Sequence, residues 1–142
     1  MPTDNVSPHI EYEEYACRCC GQVPPDFWKR GRPTPAYLYL FEKFEFMRHV
    51  RGDKPIRVND GYRCREHNAE VGGEEFSVHL FGLALDLGFD TPEEASDFAR
   101  DIDALQKGLR MGVYPWGVHI DVAFLIYPKP FEEFSPGIRW RG

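Results

Sequence analysis

The 142-residue sequence lacks any long apolar run and any cluster of basic residues. A membrane-spanning helix needs roughly 20 consecutive apolar residues, so no membrane insertion is expected. Lysine and arginine total 17 against 23 acidic residues, which gives a net charge of −6. Because nucleic-acid binding relies on concentrated positive charge, this balance argues against a nucleic-acid partner.

Residues 1–15 lack the basic start and the apolar stretch of a secretory signal. We therefore expect the protein to be cytoplasmic at synthesis. The length is typical of a single domain, taken here as residues 1–142, and we expect a monomer.

Helix boundaries can be read from capping residues. Thr34-Pro35 begins a helix that ends at Gly52, and Thr91-Pro92 begins a second that ends at Gly108. A short helical turn is predicted over residues 65–71. Four short strands are also predicted, over residues 56–59, 82–89, 109–114 and 117–124.

The two ends of the chain are expected to be less regular. Residues 1–33 contain five prolines and the cysteine-rich run, and residues 125–142 form a tail rich in proline and aromatic side chains that covers the surface. Helices and strands do not alternate regularly between these ends. The sequence therefore predicts an α+β fold, with helices packed against a small, mainly antiparallel sheet.

Two of the predicted strands carry polar side chains among very small ones. Asp86 shares a strand face with Ala84 and Gly88, and His119 lies on the face opposite the apolar residues of its strand. Such faces suit the floor of a cleft, and His79 lies just upstream of the first strand. Two imidazoles and one carboxylate form a ligand set typical of catalytic zinc, with the fourth position left to water.

Three strings occur in order along the chain: GYRCREHN at 61–68, SVHLFGLALD at 77–86 and HID at 119–121. Together they resemble the zinc D-alanyl-D-alanine carboxypeptidase and murein endopeptidase family, the M15-type peptidases, whose metal-binding half is also similar to the hedgehog signalling domain. The resemblance covers about residues 34–124. It implies a hedgehog/DD-peptidase-like fold, zinc as the cofactor, and hydrolysis of an amide bond in a peptidoglycan stem peptide or cross-bridge.

The resemblance also implies roles for individual residues. His79, Asp86 and His119 correspond to the zinc ligands. Arg63 corresponds to the arginine that holds the substrate. Its guanidinium group could bind the carboxylate of the substrate through two parallel hydrogen bonds. Ser77 corresponds to the serine that helps to shape the site.

The residues around His119 depart from the family pattern. Many relatives carry their general base three or two residues before this histidine, where Trp116 and Gly117 stand here. We expect Asp121 to replace it, because strand alternation puts Asp121 on the face of His119. Asp121 could instead orient an imidazole. The weaker candidates for the base are His67, Glu74 and Glu75.

The four cysteines allow three interpretations: free buried thiols, one or two disulfides, or a separate four-thiolate zinc site. The run of Cys17, Cys19 and Cys20 is tighter than the usual spacing of paired zinc ligands, and Cys64 is isolated. A disulfide or a free thiol is therefore favoured. Any link to Cys64 would hold the loop of Arg63.

These observations predict a zinc-dependent cell-wall peptidase whose partner is a peptidoglycan peptide, with Tyr114 and Trp116 available to line its cleft. The missing signal fits a phage or prophage lysis enzyme, or a virion-borne one, that acts on the wall after release. The alternative is a module that keeps zinc but binds without catalysis, which Trp116 and Gly117 favour. A thiol-based structural or redox protein is a third interpretation.

Overall fold

The computed structural model describes residues 5–126 and 136–142. Two short hairpins come first: β1 (Asn5–Ser7) with β2 (Ile10–Glu11), and β3 (Trp28–Lys29) with β4 (Arg32–Pro33). The main sheet comprises β5 (Arg57–Asp60), β6 (Ala84–Gly88), β7 (Arg110–Tyr114), β8 (Gly117–Asp121) and β9 (Arg139–Arg141). The α-helices are α1 (Tyr12–Tyr15), α2 (Pro35–Val50), α3 (Arg65–Glu70) and α4 (Pro92–Leu105). Two 3₁₀ helices span Val78–Phe81 and Ala123–Leu125.

The five-stranded sheet has the spatial order β5-β6-β8-β7-β9. Every neighbouring pair is antiparallel except β7 and β9, which run parallel. Helices pack with this sheet in a single buried cluster. The predicted α+β fold with a small, mainly antiparallel sheet is therefore confirmed.

Alternation along β6 divides the sheet into a core face and an opposite face. Leu85 and Leu87 are fully buried in the cluster that also contains Phe44 of α2 and Phe98 of α4. The opposite face of β6 carries only small side chains and one acid, as the sequence predicted. Burying side chains of this size contributes roughly 1.5–3 kcal/mol each, so this packing fixes where the sheet lies.

The capping signals located both long helices. In α2, Pro35 occupies the first turn, and Gly52 follows the last turn with a left-handed φ of +82°. In α4, the backbone N–H of Glu94 donates to the Thr91 hydroxyl at 3.1 Å. The regular helices stop at Val50 and Leu105, so the predicted ends at Gly52 and Gly108 were two and three residues too late.

Two predicted strands are shorter than expected. The strand predicted over 82–89 begins at Ala84, because Gly82 ends a 3₁₀ helix with a left-handed φ of +73°. The strand predicted over 117–124 ends at Asp121 and continues into the second 3₁₀ helix. The first change places a sharp bend of the chain between His79 and Asp86, and the second places one directly after Asp121.

Residues 5–33 contain only short regular elements, namely four strands of two or three residues and one helix of four residues. The segment is nevertheless buried in places. Ile10, Tyr15 and Phe27 are fully buried. The Tyr15 ring lies 5.1 Å from that of Phe27 and meets Phe41 of α2 edge-on at 5.2 Å. The segment therefore belongs to the core.

Tyr15 also holds the bend before β6. Its buried hydroxyl donates to the carbonyl of Gly82 at 2.6 Å. We expect Tyr15→Phe to lower the free energy of unfolding by about 1–3 kcal/mol, because the Gly82 carbonyl loses a buried partner. Denaturant unfolding measures this. Tyr39→Phe, at a partly exposed tyrosine, is the control, and an equal small effect in both variants would contradict the prediction.

The C-terminal tail was predicted to cover the surface. Residues 127–135 lie outside the described part of the chain. Residues 139–141, however, form β9 and extend the sheet beside β7. Trp140 lies over Gly112 of β7, where a Cβ atom would overlap the indole ring. In the described ranges, no helix has both the length and the apolar character needed to cross a membrane.

Candidate metal centre

One row of residues runs across all five strands of the main sheet. Asp60 of β5 pairs with Asp86 of β6, Asp86 with His119 of β8, His119 with Gly112 of β7, and Gly112 with Trp140 of β9. Paired residues on neighbouring strands share a sheet face. The row therefore brings two carboxylates, an imidazole and an indole to the same face, opposite the core.

His79 reaches this row from the 3₁₀ helix before β6. The Ser77 hydroxyl accepts a hydrogen bond from the His79 backbone N–H at 3.2 Å and so begins the helix. The His79 ring is buried, and its Nδ1 lies 2.5 Å from the carbonyl oxygen of Gly61. Because a carbonyl only accepts, Nδ1 carries the proton. Nε2 is therefore the ring nitrogen that remains to bind a metal ion, as in a metal-ligating histidine whose other nitrogen donates to a carbonyl.

Asp86 lies between the two imidazoles. Its Oδ1 is 3.1 Å from His79 Nε2 and 2.8 Å from His119 Nδ1. Burial alone would raise the pKa of Asp86, but hydrogen bonds from His119 and His79 hold this pKa well below its usual range. The carboxylate is therefore the charged, ligand-competent form.

The three side chains fit a zinc ion. Their donor atoms all lie within 4.8 Å of one another. Ligands about 2 Å from a tetrahedral zinc ion lie roughly 3.3 Å apart, close to the contacts of Asp86 with the two imidazoles. Moreover, His79 Nε2 and His119 Nδ1 both face Asp86 Oδ1, so a cation among the three atoms would replace the protons that they share in the metal-free site. Of the described residues, one further group has convergent donor atoms, the thiols of Cys17, Cys20 and Cys64.

His119 is held from behind by Asp121. Its Nε2 lies 2.7 Å from Asp121 Oδ2, while its Nδ1 faces Asp86. Burial would lower the pKa of His119, but hydrogen bonds to Asp121 and Asp86 raise it to about 9 in the metal-free site. The ring is thus fixed in one orientation by two carboxylates.

The carboxylate of Asp121 has no free lone pair. Oδ1 accepts from Arg110 Nε at 2.9 Å and from the Ala123 backbone N–H at 3.0 Å. Oδ2 accepts from Arg110 Nη2 at 3.2 Å and from His119. A carboxylate offers about four acceptor positions, and these four bonds occupy them. Burial favours a raised pKa for Asp121, yet the bonds from His119 and Arg110 lower it. The geometry favours the orienting role over the role of base.

Arg63 bridges the row and the neighbouring loop. Its Nε donates to Asp60 at 2.6 Å, its Nη1 to Asn68 at 2.9 Å, and its Nη2 lies 3.4 Å from Asp86 Oδ2. The backbone N–H of Arg63 donates to the His79 carbonyl at 3.0 Å. These side-chain contacts use three of the five guanidinium N–H groups, so two are left without a partner among the described residues and could bind a ligand.

The row forms the floor of a cleft of about 680 Å³. Ser77 lies in its lining, and Tyr114 and Trp116 stack on each other there with ring centroids 4.9 Å apart. Trp140 extends this aromatic wall, because its Nε1 donates to the Tyr114 hydroxyl at 2.5 Å. The cleft thus has a charged end and an aromatic side.

Two of the three remaining candidates for the general base line the cleft, and one does not. Glu74 and Glu75 are exposed residues of its lining, whereas His67 is absent from the lining within the described part of the chain. Asp60 also lines the cleft, and its Oδ1 is buried without a hydrogen-bond partner among the described residues.

Three residues of the site were missed by the sequence analysis: Asp60, Arg110 and Trp140. Asp60 directly precedes the GYR string and could have been found there. Arg110 pairs with Asp121 across the β7–β8 hairpin, so the hairpin register would have revealed it. Trp140 depends on the parallel pairing of β9, which no local pattern indicates.

Comparison with known proteins agrees with the geometry. The sequence model of the family described as Peptidase M15 matches residues 8–121. The chain belongs to this family. The predicted resemblance is thereby confirmed, and the M15 match also includes the N-terminal segment with Cys17, Cys19 and Cys20.

One curated relative of this M15 chain is the zinc D-Ala-D-Ala carboxypeptidase of Streptomyces albus G. The two are 52% identical over 66 residues, which cover 43% of this chain and 26% of the relative. The chain therefore spans about a quarter of the length of the relative that it matches.

Proposed function

We propose that this protein is a zinc peptidase that hydrolyses amide bonds in peptidoglycan stem peptides or cross-bridges. We propose that it is either a D-Ala-D-Ala carboxypeptidase or a murein endopeptidase. It would be a lysis enzyme of a phage or prophage, or an enzyme carried by the virion, and would act on the cell wall after release. The observation that carries the proposal is the convergence of His79, Asp86 and His119 beside Arg63 in a cleft of an M15 chain. The relative's name, a zinc D-Ala-D-Ala carboxypeptidase, supports the same chemistry.

His79, Asp86 and His119 are proposed to hold the zinc ion. When bound, zinc supplies polarisation of the scissile carbonyl and activation of water near neutral pH. Gly61 fixes the tautomer of His79 through its carbonyl, and Asp121 fixes the ring of His119. Asp121 is therefore proposed as a positioning residue. A proton taken from the attacking water would pass to a carboxylate of the cleft that keeps a free oxygen: Glu74, Glu75 or Asp60.

Arg63 is proposed to bind the carboxylate of the substrate. We expect Arg63→Lys to lower kcat/KM by about 10- to 100-fold, because a hydrogen bond between charged groups contributes roughly 1.5–3 kcal/mol. The melting temperature should stay nearly unchanged, since lysine keeps a positive charge beside Asp60 and Asp86. Steady-state kinetics and thermal unfolding measure both effects. Arg65→Lys, at an exposed arginine of α3, is the control; a large loss of stability with normal kinetics would instead indicate a structural role.

A binding module that retains zinc is the second candidate function. Two observations favour it: Trp116 and Gly117 stand where the base is expected, and the acceptor positions of Asp121 are occupied. Such a protein would bind stem peptides in the cleft and leave them intact.

The test is a turnover assay with metal analysis on the full chain. The zinc-loaded protein is incubated with purified peptidoglycan and with a stem pentapeptide ending in D-Ala-D-Ala. Release of D-alanine identifies a carboxypeptidase, and new amino groups without D-alanine identify an endopeptidase. Protein stripped with a chelator is the control. Zinc retained in the cleft without any cleavage would support the binding module, and absence of both would overturn the proposal.

A further inference from the structure

The cysteines form a second cluster outside the cleft. The Sγ atoms of Cys17, Cys20 and Cys64 all lie within 4.8 Å of one another, although Cys64 is 44 residues from Cys20 in sequence. All four cysteines lie in the described part of the chain and carry free thiols. We propose that Cys17, Cys20 and Cys64, with Cys19 as the fourth ligand, bind a second, structural zinc ion. This site goes beyond the peptidase function proposed above and does not depend on it.

The first pair of ligands has the spacing of a zinc site. Cys17 and Cys20 are separated by two residues, which is the Cys-x₂-Cys pattern common in structural zinc sites. The run of three cysteines was expected to be tighter than paired zinc ligands usually are, but Cys17 and Cys20 taken alone have the required spacing. In the structure, Gly21 follows Cys20 with a left-handed φ of +69°, and its N–H donates to the Cys17 carbonyl at 2.8 Å. This turn folds Cys20 back towards Cys17.

Backbone N–H groups point at two of the sulfur atoms. The Cys64 N–H donates to Cys17 Sγ at 3.4 Å, and the His67 N–H donates to Cys64 Sγ at 3.4 Å. Burial would raise the pKa of the Cys17 thiol, but backbone hydrogen bonds such as that from Cys64 lower it, and the thiolate is the form that binds zinc. On binding, each thiol would release its proton to solvent.

Cys19 is the candidate for the fourth ligand, although its sulfur lies outside the set that converges within 4.8 Å. It is exposed and precedes Cys20 directly in the chain. Partial desolvation and the nearby Cys64 thiol raise the pKa of Cys19 to about 11, so Cys19 would lose its proton last, to an ion already held by the other three. Cys20 is also exposed, whereas Cys17 is buried. An ion could therefore reach the cluster from solvent and be closed off by four thiolates, as in structural rather than catalytic zinc sites. None of these cysteines lines the cleft.

The cluster joins the N-terminal segment to the loop that carries Arg63. Cys64 directly follows Arg63, and the Tyr62 N–H donates to the Tyr15 carbonyl at 2.8 Å. The Arg18 guanidinium additionally donates to the carbonyl of Asn59 at 3.0 Å. Zinc bound to Cys17, Cys19, Cys20 and Cys64 would therefore cross-link the N-terminal segment to the loop that carries Arg63. The cross-link would stabilise the position of that loop.

The experiment counts metal in the full chain and identifies its ligands with cobalt. Protein purified under reducing conditions is expected to contain two zinc ions. Cys64→Ser and His79→Ala should each lower this to one, and His49→Ala, at an exposed histidine, should leave two. After replacement of zinc by Co²⁺, thiolate-to-cobalt charge-transfer absorption should be present in wild type and His79→Ala and absent from Cys64→Ser.

Wild-type thiol reactivity keeps the test independent of whether the cysteine variant folds. All four thiols should resist alkylation until a chelator is added. Immediate alkylation of all four, a disulfide in the reduced preparation, or unchanged zinc and charge-transfer absorption in a folded Cys64→Ser variant would overturn the proposal. Failure of the cleft site is distinguishable, because it would remove one zinc ion and leave the thiolate absorption intact.

Discussion

Replacing His79 with alanine is expected to remove zinc from the cleft and to lower kcat/KM for a stem peptide by about 1000-fold or more. The imidazole is buried, and its Nε2 faces Asp86 as one of the three donor groups of the site, so its loss leaves two protein ligands. Polarisation by a metal ion contributes several kcal/mol, and each 1.36 kcal/mol corresponds to a factor of ten. Metal analysis and turnover on the same preparation measure both losses.

Two companion variants sharpen this result. Asp86→Ala should lose the same ion, because Asp86 Oδ1 lies within 3.1 Å of both imidazoles. His49→Ala removes an exposed imidazole of α2 and should change neither zinc content nor rate. Full retention of cleft zinc in both His79→Ala and Asp86→Ala would contradict the assignment of the ligands.

Replacing Asp121 with asparagine is expected to weaken zinc affinity by about 10- to 100-fold. Asparagine preserves the shape but puts an N–H₂ group against donors from Arg110 or His119, so the imidazole loses its fixed orientation. If Asp121 acts only by orientation, activity should return as free zinc is raised. The measurement is activity as a function of free zinc, with Asp97→Asn, an exposed acid of α4, as the control.

The same titration separates the two roles considered for Asp121. A general base contributes typically 10²–10⁴-fold, and its loss could not be repaired by added zinc. Unchanged zinc affinity with a rate loss of that size would show that Asp121 is the base after all. If neither quantity changes, Asp121 has neither role, and Glu74, Glu75 and Asp60 become the carboxylates to examine.

Local pattern was enough to find the parts of the site that lie close together in sequence. His79 and Asp86 belong to one string that ends in a strand, and the alternation of leucines with small residues made that strand visible. The helices α2 and α4 were similarly marked by Thr-Pro pairs. These features depend on interactions within about ten residues.

Features set by strand pairing could not be read in the same way. Arg110 reaches Asp121 only because the β7–β8 hairpin puts the two side by side, and Trp140 reaches Gly112 through a parallel pairing with β9. The burial of Tyr15 and Phe27 follows from packing against α2, which proline-rich sequence conceals. Likewise, Cys64 joins the N-terminal cysteines only in the folded chain.

The five-strand row makes the chemistry of this protein sensitive to strand register. Side chains alternate between faces, so a slip of one residue in any strand would send its contribution into the core. A β-bulge between Val58 and Asp60 already adjusts β5 so that Asp60, rather than Asn59, faces Asp86. Insertion of a single residue within one of these strands would therefore disrupt the row. Enzymatic activity would accordingly serve as a readout of correct sheet assembly, more demanding than secondary-structure content.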